Sequence, residues 1–225
     1  MKFIIPFLLI PLICFAQSEE EQKLSFKVTE VKGEVFRSDE NGWTAVKNGD
    51  VLSDNTEILT GLHASLSLDL TESSYITISQ LSDVILQNTR IKKYTLTTEI
   101  YIVSGMIITN SENMQDLDNE ISVVFINGKA VLKNAAGQIY MRKGYGVTIL
   151  SDRGDTEIEQ NILGKNIKRK IYPGDRCVLK TNGQLAENSE LIKTEMFMSK
   201  SVNDSSAKDF FSHAKSKNSY SRKTR

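Results

Sequence analysis

From residue 24 onward, apolar side chains recur at every second position. Leu24, Phe26 and Val28 alternate with Ser25, Lys27 and Thr29, and Ala64, Leu66, Leu68 and Leu70 alternate with Ser65, Ser67 and Asp69. Successive side chains on a strand point to opposite faces, so this pattern buries one face and wets the other. On a helix the same leucines would scatter around the axis and bury nothing coherent. Further short strands are predicted at Gly33–Arg37, Trp43–Val46, Thr56–Leu59, Tyr75–Ile78, Asp83–Leu86, Thr95–Ile108, Ile121–Ile126, Lys129–Leu132, Gln138–Met141, Tyr145–Leu150, Thr156–Gln160, Ile167–Tyr172 and Arg176–Leu179. No long helical pattern separates them. The expected fold class is therefore all-β, with short strands stacked in a sandwich or a β-solenoid-like array.

Turn chemistry points the same way. Asn-Gly occurs at Asn41-Gly42, Asn48-Gly49, Asn127-Gly128 and Asn182-Gly183, and both residues tolerate the positive φ that tight hairpins demand. Asn127-Gly128 separates two apolar runs and predicts a hairpin. The polar stretch 110–120 reads as a long surface loop in preference to a boundary between two layers. One faint internal echo exists, Asn48-Gly49-Asp50-Val51-Leu52 against Pro173-Gly174-Asp175-Arg176-Cys177.

The two ends differ from this body. Lys2 followed by the apolar run Phe3–Ile13 and Cys14-Phe15-Ala16 reads as a signal peptide over 1–16, with Gln17 as the first mature residue. Eleven apolar residues interrupted by Pro6 and Pro11 are too short for a lasting span. Lipidation at Cys14 is the alternative, although bulky Ile13 precedes it where a small residue is wanted. The expectation is an exported protein, periplasmic or secreted, with no transmembrane span in the mature chain. Its single remaining thiol, Cys177, then has no internal disulfide partner, and in a strand it reads as a small buried hydrophobe. Residues 200–225 carry seven bases against two acids, while 17–199 carry 20 bases against 26 acids. A basic tail thus follows an acidic β domain. Within that tail Asp204 or Ser205 caps a possible short helix to Lys217, whose stripe is Ala207, Phe210, Phe211 and Ala214. Such a helix is marginal alone and needs a surface to form against, so a disordered tail is the other reading.

The run from Val31 to Leu86 resembles a known family. Gly33-Glu34-Val35, Gly42-Trp43-Thr44-Ala45-Val46, Asn48-Gly49-Asp50-Val51-Leu52 and Thr56-Glu57-Ile58-Leu59-Thr60 resemble the FecR domain in order and spacing. Tyr75-Ile76-Thr77-Ile78 and Leu81-Ser82-Asp83-Val84-Ile85-Leu86 continue it. Val103-Ser104-Gly105-Met106-Ile107 looks like the family's strand with a single glycine, and Tyr145–Leu150 with the Pro173-Gly174-Asp175 turn looks like its closing part. The resemblance covers a domain over 17–199, strongest over 28–108, with the closing part at 121–185. It implies structural roles for Gly33, Trp43, Gly49, Asp50, Gly105, Gly174 and Asp175. The glycines would serve turns or close approach, Trp43 would anchor the core, and Asp50 would accept backbone N–H groups. In the family this domain is the periplasmic part of transmembrane regulators that relay an uptake signal to an anti-sigma region. Here the leader-like segment stands directly before the β domain, so only the extracytoplasmic module is expected to carry over.

Catalytic chemistry is sparse. His63 and His213 are the only histidines, and no Cys/His ligand spacing, phosphate-binding glycine loop or nucleophile elbow occurs. No catalytic residue, cofactor or metal is expected, and the chain reads as a non-enzymatic envelope module that binds or senses a protein or an envelope polymer. Arg153-Gly154-Asp155 reads as a charged hairpin tip within a turn at Ser151–Asp155, or as a mimic of an adhesion tripeptide. Lys165, Lys168, Arg169 and Lys170 are candidate contacts for an anionic partner, against the plainer reading of an edge strand guarded by lysines. Lys215, Lys217, Arg222, Lys223 and Arg225 are the corresponding candidates in the tail, through which a structural component of an envelope complex would dock. Export and an acidic body argue against nucleic acid.

Overall fold

A computed structural model describes residues 21–39, 42–112, 117–162 and 165–180. The strands, in chain order, are β1 Glu21–Lys23, β2 Phe26–Lys32, β3 Val35–Asp39, β4 Gly42–Ala45, β5 Val51–Leu52, β6 Thr56–Thr60, β7 Ser65–Thr71, β8 Ser74–Ile78, β9 Asp83–Lys92, β10 Thr95–Ser111, β11 Asp118–Phe125, β12 Gly128–Arg142, β13 Gly146–Ile162, β14 Lys165–Ile171 and β15 Arg176–Leu179. There is no helix among the described residues. The signal peptide, Cys14, the Asn182-Gly183 pair and the whole 200–225 tail, with the helix expected at 204–217, lie outside them.

Pairing resolves the strands into two limbs. The first runs β4, β3, β6, β9, the front half of β10, β11, the front half of β12, the back half of β13, and β14. The second runs β5, β2, β7, β8, the back half of β10, the back half of β12, the front half of β13, and β15. One apolar cluster draws from both, with Ile58, Val84, Ile100, Val123 and Ile158 from the first and Phe26, Leu68, Ile76, Ile139 and Ile149 from the second. The fold is an all-β sandwich whose sheet does not close on itself, and each of these side chains contributes about 1.5–3 kcal/mol by leaving water.

Three strands belong to both limbs, and each changes phase where it crosses. Along β10 the buried positions are Leu96, Thr98, Ile100 and Ile102, then Gly105, Ile107, Thr109 and Ser111. In β12 they switch from Ala130 and Leu132 to Ala135, Gly137, Ile139 and Met141. In β13 they switch from Val147, Ile149 and Ser151 to Thr156, Ile158 and Gln160. An even-to-odd switch is what an extra residue in a strand produces, and it keeps the inward side chains inward after the chain bends. Each switch carries a positive φ, at Gly105 (100°), Asn134 (45°) and Gly154 (78°). The strand pairs that cross through short links do the same at Gly33, His63, Leu81 and Gly174.

These crossings correct the predicted strand list. Lys129–Leu132 and Gln138–Met141 are two halves of β12, and Tyr145–Leu150 and Thr156–Gln160 are two halves of β13. Ser151–Asp155 is a bend inside a strand, so Arg153-Gly154-Asp155 is no hairpin tip. The hairpin at residues 125–128 forms, with Phe125 opposite Gly128 and Ile126-Asn127 as its loop. None of these has a positive φ. Gly128 is required for another reason: a Cβ there would lie 2.3 Å from the Glu159 carbonyl oxygen.

Gly105 is the tightest of the crossings. A Cβ would stand 2.2 Å from Ser82 Oγ and 2.4 Å from Ser82 Cα. Ser82 in turn accepts the Met106 N–H at 3.0 Å and donates to the Ser79 carbonyl at 2.7 Å. Gly49 has a comparable φ of 84° but open space around it. Replacing Gly49 by alanine is therefore expected to cost about 1–2 kcal/mol of backbone strain alone. Gly105→Ala adds overpacking and is expected to cost roughly 3 kcal/mol or more. Urea denaturation of the two variants checks the order, and equal midpoints would refute the role given to the Ser82 contact.

Candidate functional site

Strand β3 and the segment from β5 to the start of β6 line one polar groove, and the turn before β5 adjoins it. At the turn, the Asp50 N–H donates to the Lys47 carbonyl at 3.1 Å and Gly49 takes the positive φ. Asp50 Oδ2 accepts the Lys47 N–H at 3.1 Å, the role its position implied. The Val31 N–H donates to Asn48 Oδ1 at 2.7 Å and ties the turn to β2. From β3, Arg37 reaches across to Asp50 at 3.6 Å and donates through Nε to Thr44 Oγ1 at 3.4 Å. Next to Thr44 stands Trp43, opposite Ser38 in register.

The groove encloses about 490 Å³ between Arg37 and Ser38 on one side and Val51–Thr56 on the other. The Thr56 hydroxyl donates to the Ser53 carbonyl at 2.7 Å, and the Asn55 N–H donates to the Leu86 carbonyl at 2.6 Å. Asp54 is paired with Lys23 at 2.8 Å, while its second oxygen is buried without a hydrogen-bond partner. Val51 stands 62% exposed on the rim. The lining therefore offers a guanidinium, hydroxyls, amides and one apolar patch. It holds no histidine and no thiol, and its charged groups are Arg37 and Asp54. Among the described residues no group of three histidine, cysteine or acidic side chains is placed to hold a metal.

The seven motif residues do not all meet here. Gly49 and Asp50 stand in the turn just before the groove's Val51–Thr56 segment and Trp43 lies opposite Ser38, so none of the three lines it, whereas Gly33 and Gly105 serve crossings between limbs. Gly174 and Asp175 form a second turn that copies the first, with φ 86° and Asp175 N–H to Tyr172 carbonyl at 2.9 Å. Trp43 is half-buried on β4 and outside the core cluster, so it is no core anchor; Phe26 and branched aliphatics fill that place. His63 sits in the link to β7, its N–H donating to Gln80 Oε1 at 2.8 Å.

Strand alternation splits the basic cluster on β14. Lys168 and Lys170 face solvent and pair with Glu157 and Glu159, and with Asp155, respectively. Arg169 lies opposite core residue Ile158 and therefore on the inward face, with one guanidinium nitrogen buried and unpartnered. Among the described residues β14 ends the first limb and pairs only with β13. An inward charge and outward lysines are devices that discourage pairing with another chain at an edge. Arg153 pairs with Glu112 at 3.4 Å and donates to Asn110 at 2.7 Å, so the tripeptide's charges are engaged within the fold. The other tail bases lie outside the described residues. Cys177 packs half-buried against the core, and burial raises its thiol pKa, partly offset by Arg169.

The groove and the outward ladder were not identified from sequence, because Arg37–Asp50 and Lys129–Glu159–Lys168 join residues far apart in the chain. What the molecule presents is a β-sandwich module with a polar cleft at one edge. No protein-family model matches the chain, and no curated protein matches it. Two solved structures are similar, both candidate anti-sigma factors from Parabacteroides distasonis. The first, solved at 1.65 Å, shares 10% identity with a TM-score of 0.46, covering 62% of this chain and 64% of that one. The second, at 2.50 Å, shares 9% identity with a TM-score of 0.35, covering 74% and 59%. The chain thus spans less than two thirds of either.

The ladder sets an acid response. Hydrogen bonds from Lys168 and then Lys129 hold the Glu159 carboxyl below its ordinary value, and Lys170 does the same for Asp155. A carboxyl lowered on folding stabilises the fold above its unfolded pKa, and that stabilisation is lost as pH falls through the lower folded value. Stability is expected to decline on going from about pH 5 towards pH 3. Glu159→Gln should flatten that decline in thermal melts, and high salt should do so too. Unchanged acid limbs in the variant would contradict the pairing.

Proposed function

We propose that the chain is a non-enzymatic binding or sensing module of the bacterial cell envelope, using the groove beside the Gly49-Asp50 turn. The observation that carries this reading is the polar cleft lined by Arg37, Ser38 and the Val51–Thr56 segment, set beside the motif residues Trp43, Gly49 and Asp50. The FecR-like motif that those residues share supports a regulatory, extracytoplasmic role, and the leader-like residues 1–16 support export. The ligand class that suits the lining is polar and partly anionic. Arg37 supplies a forked donor, the Ser53–Thr56 segment supplies hydroxyls and amides, and Val51 offers apolar contact. Soluble peptidoglycan fragments and extended peptides both have that chemistry.

The test is titration of both probe sets onto the purified chain, with Arg37→Ala and Val51→Asp alongside. Binding that weakens about tenfold in Arg37→Ala is expected, since a charged hydrogen bond is worth roughly 1.5–3 kcal/mol. Melting at the native temperature would show that the fold is intact. Binding unaffected by both substitutions would remove the groove from the proposal, and turnover of either probe would overturn the non-enzymatic assignment.

A further inference from the structure

Several chain reversals meet at one end of the sandwich. The loop Ile126-Asn127 joins β11 to β12, and the turn 143–145 joins β12 to β13. Gln160 pairs with Gly128 on one side and with Ile167 on the other, so the β13–β14 hairpin rises beside that loop. Val147 pairs with Leu179, which sets Lys180 next to Gly146 at the foot of the turn. Loop, Gly146 and Lys180 border one small apolar cavity. The described residues at this end, 125–128, 142–146, 161–162, 165–166 and 180, include Arg142, Lys143, Lys165 and Lys180 and no acid. Glu159, just below on β13, is engaged by Lys129 and Lys168. Residues 17–199 hold more acids than bases, so this end runs against the charge of the body.

The same end holds large apolar side chains in water. Ile126 is 67% exposed and Tyr145 62% exposed. The Arg142 guanidinium lies 4.2 Å from the centroid of the Tyr145 ring, so that ring carries a cation on its face. Between the two tips the cavity measures about 10 Å³, room for one water and too little for a side chain. A protein partner seats its anchor residues in fitted pockets, and this cavity cannot receive one. An anionic bilayer makes no such demand. It takes apolar tips below its headgroups, accepts tyrosine at headgroup level and draws bases to its phosphates. We propose that this end docks on an anionic phospholipid surface, with Ile126 and Tyr145 entering the headgroup layer and Arg142, Lys143, Lys165 and Lys180 against lipid phosphates. The inference rests on this end of the molecule and is independent of what the groove binds.

Vesicle flotation tests this with the chain from Gln17 onward, which omits the apolar leader and keeps the basic tail in every protein compared. Partition onto phosphatidylglycerol–phosphatidylcholine vesicles is measured for the parent, for Lys143→Gln with Lys165→Gln, and for Ile126→Ser. Each base near such a surface is worth about fivefold in partition, so the paired lysine change is expected to weaken binding roughly 25-fold. Ile126→Ser is expected to weaken it about tenfold at unchanged charge. Binding at the parent's level in both variants would assign the attraction to the tail and overturn the proposal. So would a parent that ignores these vesicles or binds pure phosphatidylcholine equally well. A loss confined to the lysine variant would also overturn it, in favour of an acidic protein or polymer. Thermal melts establish that each variant is folded, and Ile126→Thr replaces Ile126→Ser if the latter melts early.

Discussion

A strand long enough to serve two sheets must bend, and a bend that preserves alternation would turn its buried side chains out into water. β10, β12 and β13 meet this constraint by shifting phase at the crossing. The shift needs a residue whose backbone turns left-handed, which is why Gly105, Asn134 and Gly154 stand where they do. Space is the second half of the requirement. Gly105 lies against Ser82, and Gly154 against Ala135, at distances that leave no room for a side chain. The same contacts supply hydrogen bonds that the interrupted ladder loses: Ser82 Oγ takes the Met106 N–H, and Ser111 Oγ takes the Ala135 N–H. Remove that arrangement and neither limb has a face to bury.

The two Gly-Asp turns extend this logic to the outer edges. After the Lys47–Asp50 turn comes β5, and after the Tyr172–Asp175 turn comes β15, the two ends of the second limb. Their bonding matches atom for atom. Gly49 N–H donates to the Val28 carbonyl and Val28 N–H to the Asp50 carbonyl; Gly174 N–H donates to the Ser151 carbonyl and Ser151 N–H to the Asp175 carbonyl. Lys27 opposes Val51 as Leu150 opposes Arg176. A strand, a glycine crossing, a hairpin, a Gly-Asp turn and an edge strand therefore occur twice. The faint echo between residues 48–52 and 173–177 is the trace of a repeated structural unit. Only the first copy carries Arg37 and the Ser53–Thr56 segment, so the groove is a local elaboration of one copy.

Much of the architecture was legible because alternation is a local property. Ala64, Leu66, Leu68 and Leu70 are all buried, as their spacing requires. The crossings were not legible for the same reason. A phase shift reads as an end of a strand, and Ser-Asp-Arg-Gly-Asp has the composition of a turn, so β13 was divided at its bend. In β10 the opposite happened: Ile100 to Ile108 is apolar enough on both faces to hide the switch at Gly105. Trp43 misled through size, since bulk favours burial where a strand has two neighbours, and among the described residues β4 pairs with β3 alone. The groove escaped because its geometry depends on which hairpin lies beside which turn, a long-range fact.

The makeup of the outer faces follows from the crossings as well. Because β12 and β13 each contribute to both limbs, a single strand must satisfy two solvent environments, and its outward residues change at the bend. Glu157 and Glu159 lie a few residues beyond the crossing from Leu150, on the same strand. Neither outer face is uniformly polar, since Ile85, Tyr101 and Val124 share a row on the first limb as Met106 and Tyr140 do on the second. In the second limb Thr148 stands between Tyr140 and Val178, and both Thr148 and Val178 are buried. The chemistry of an outer face is therefore set row by row, by what the neighbouring strands present at each register, and not by the limb as a whole.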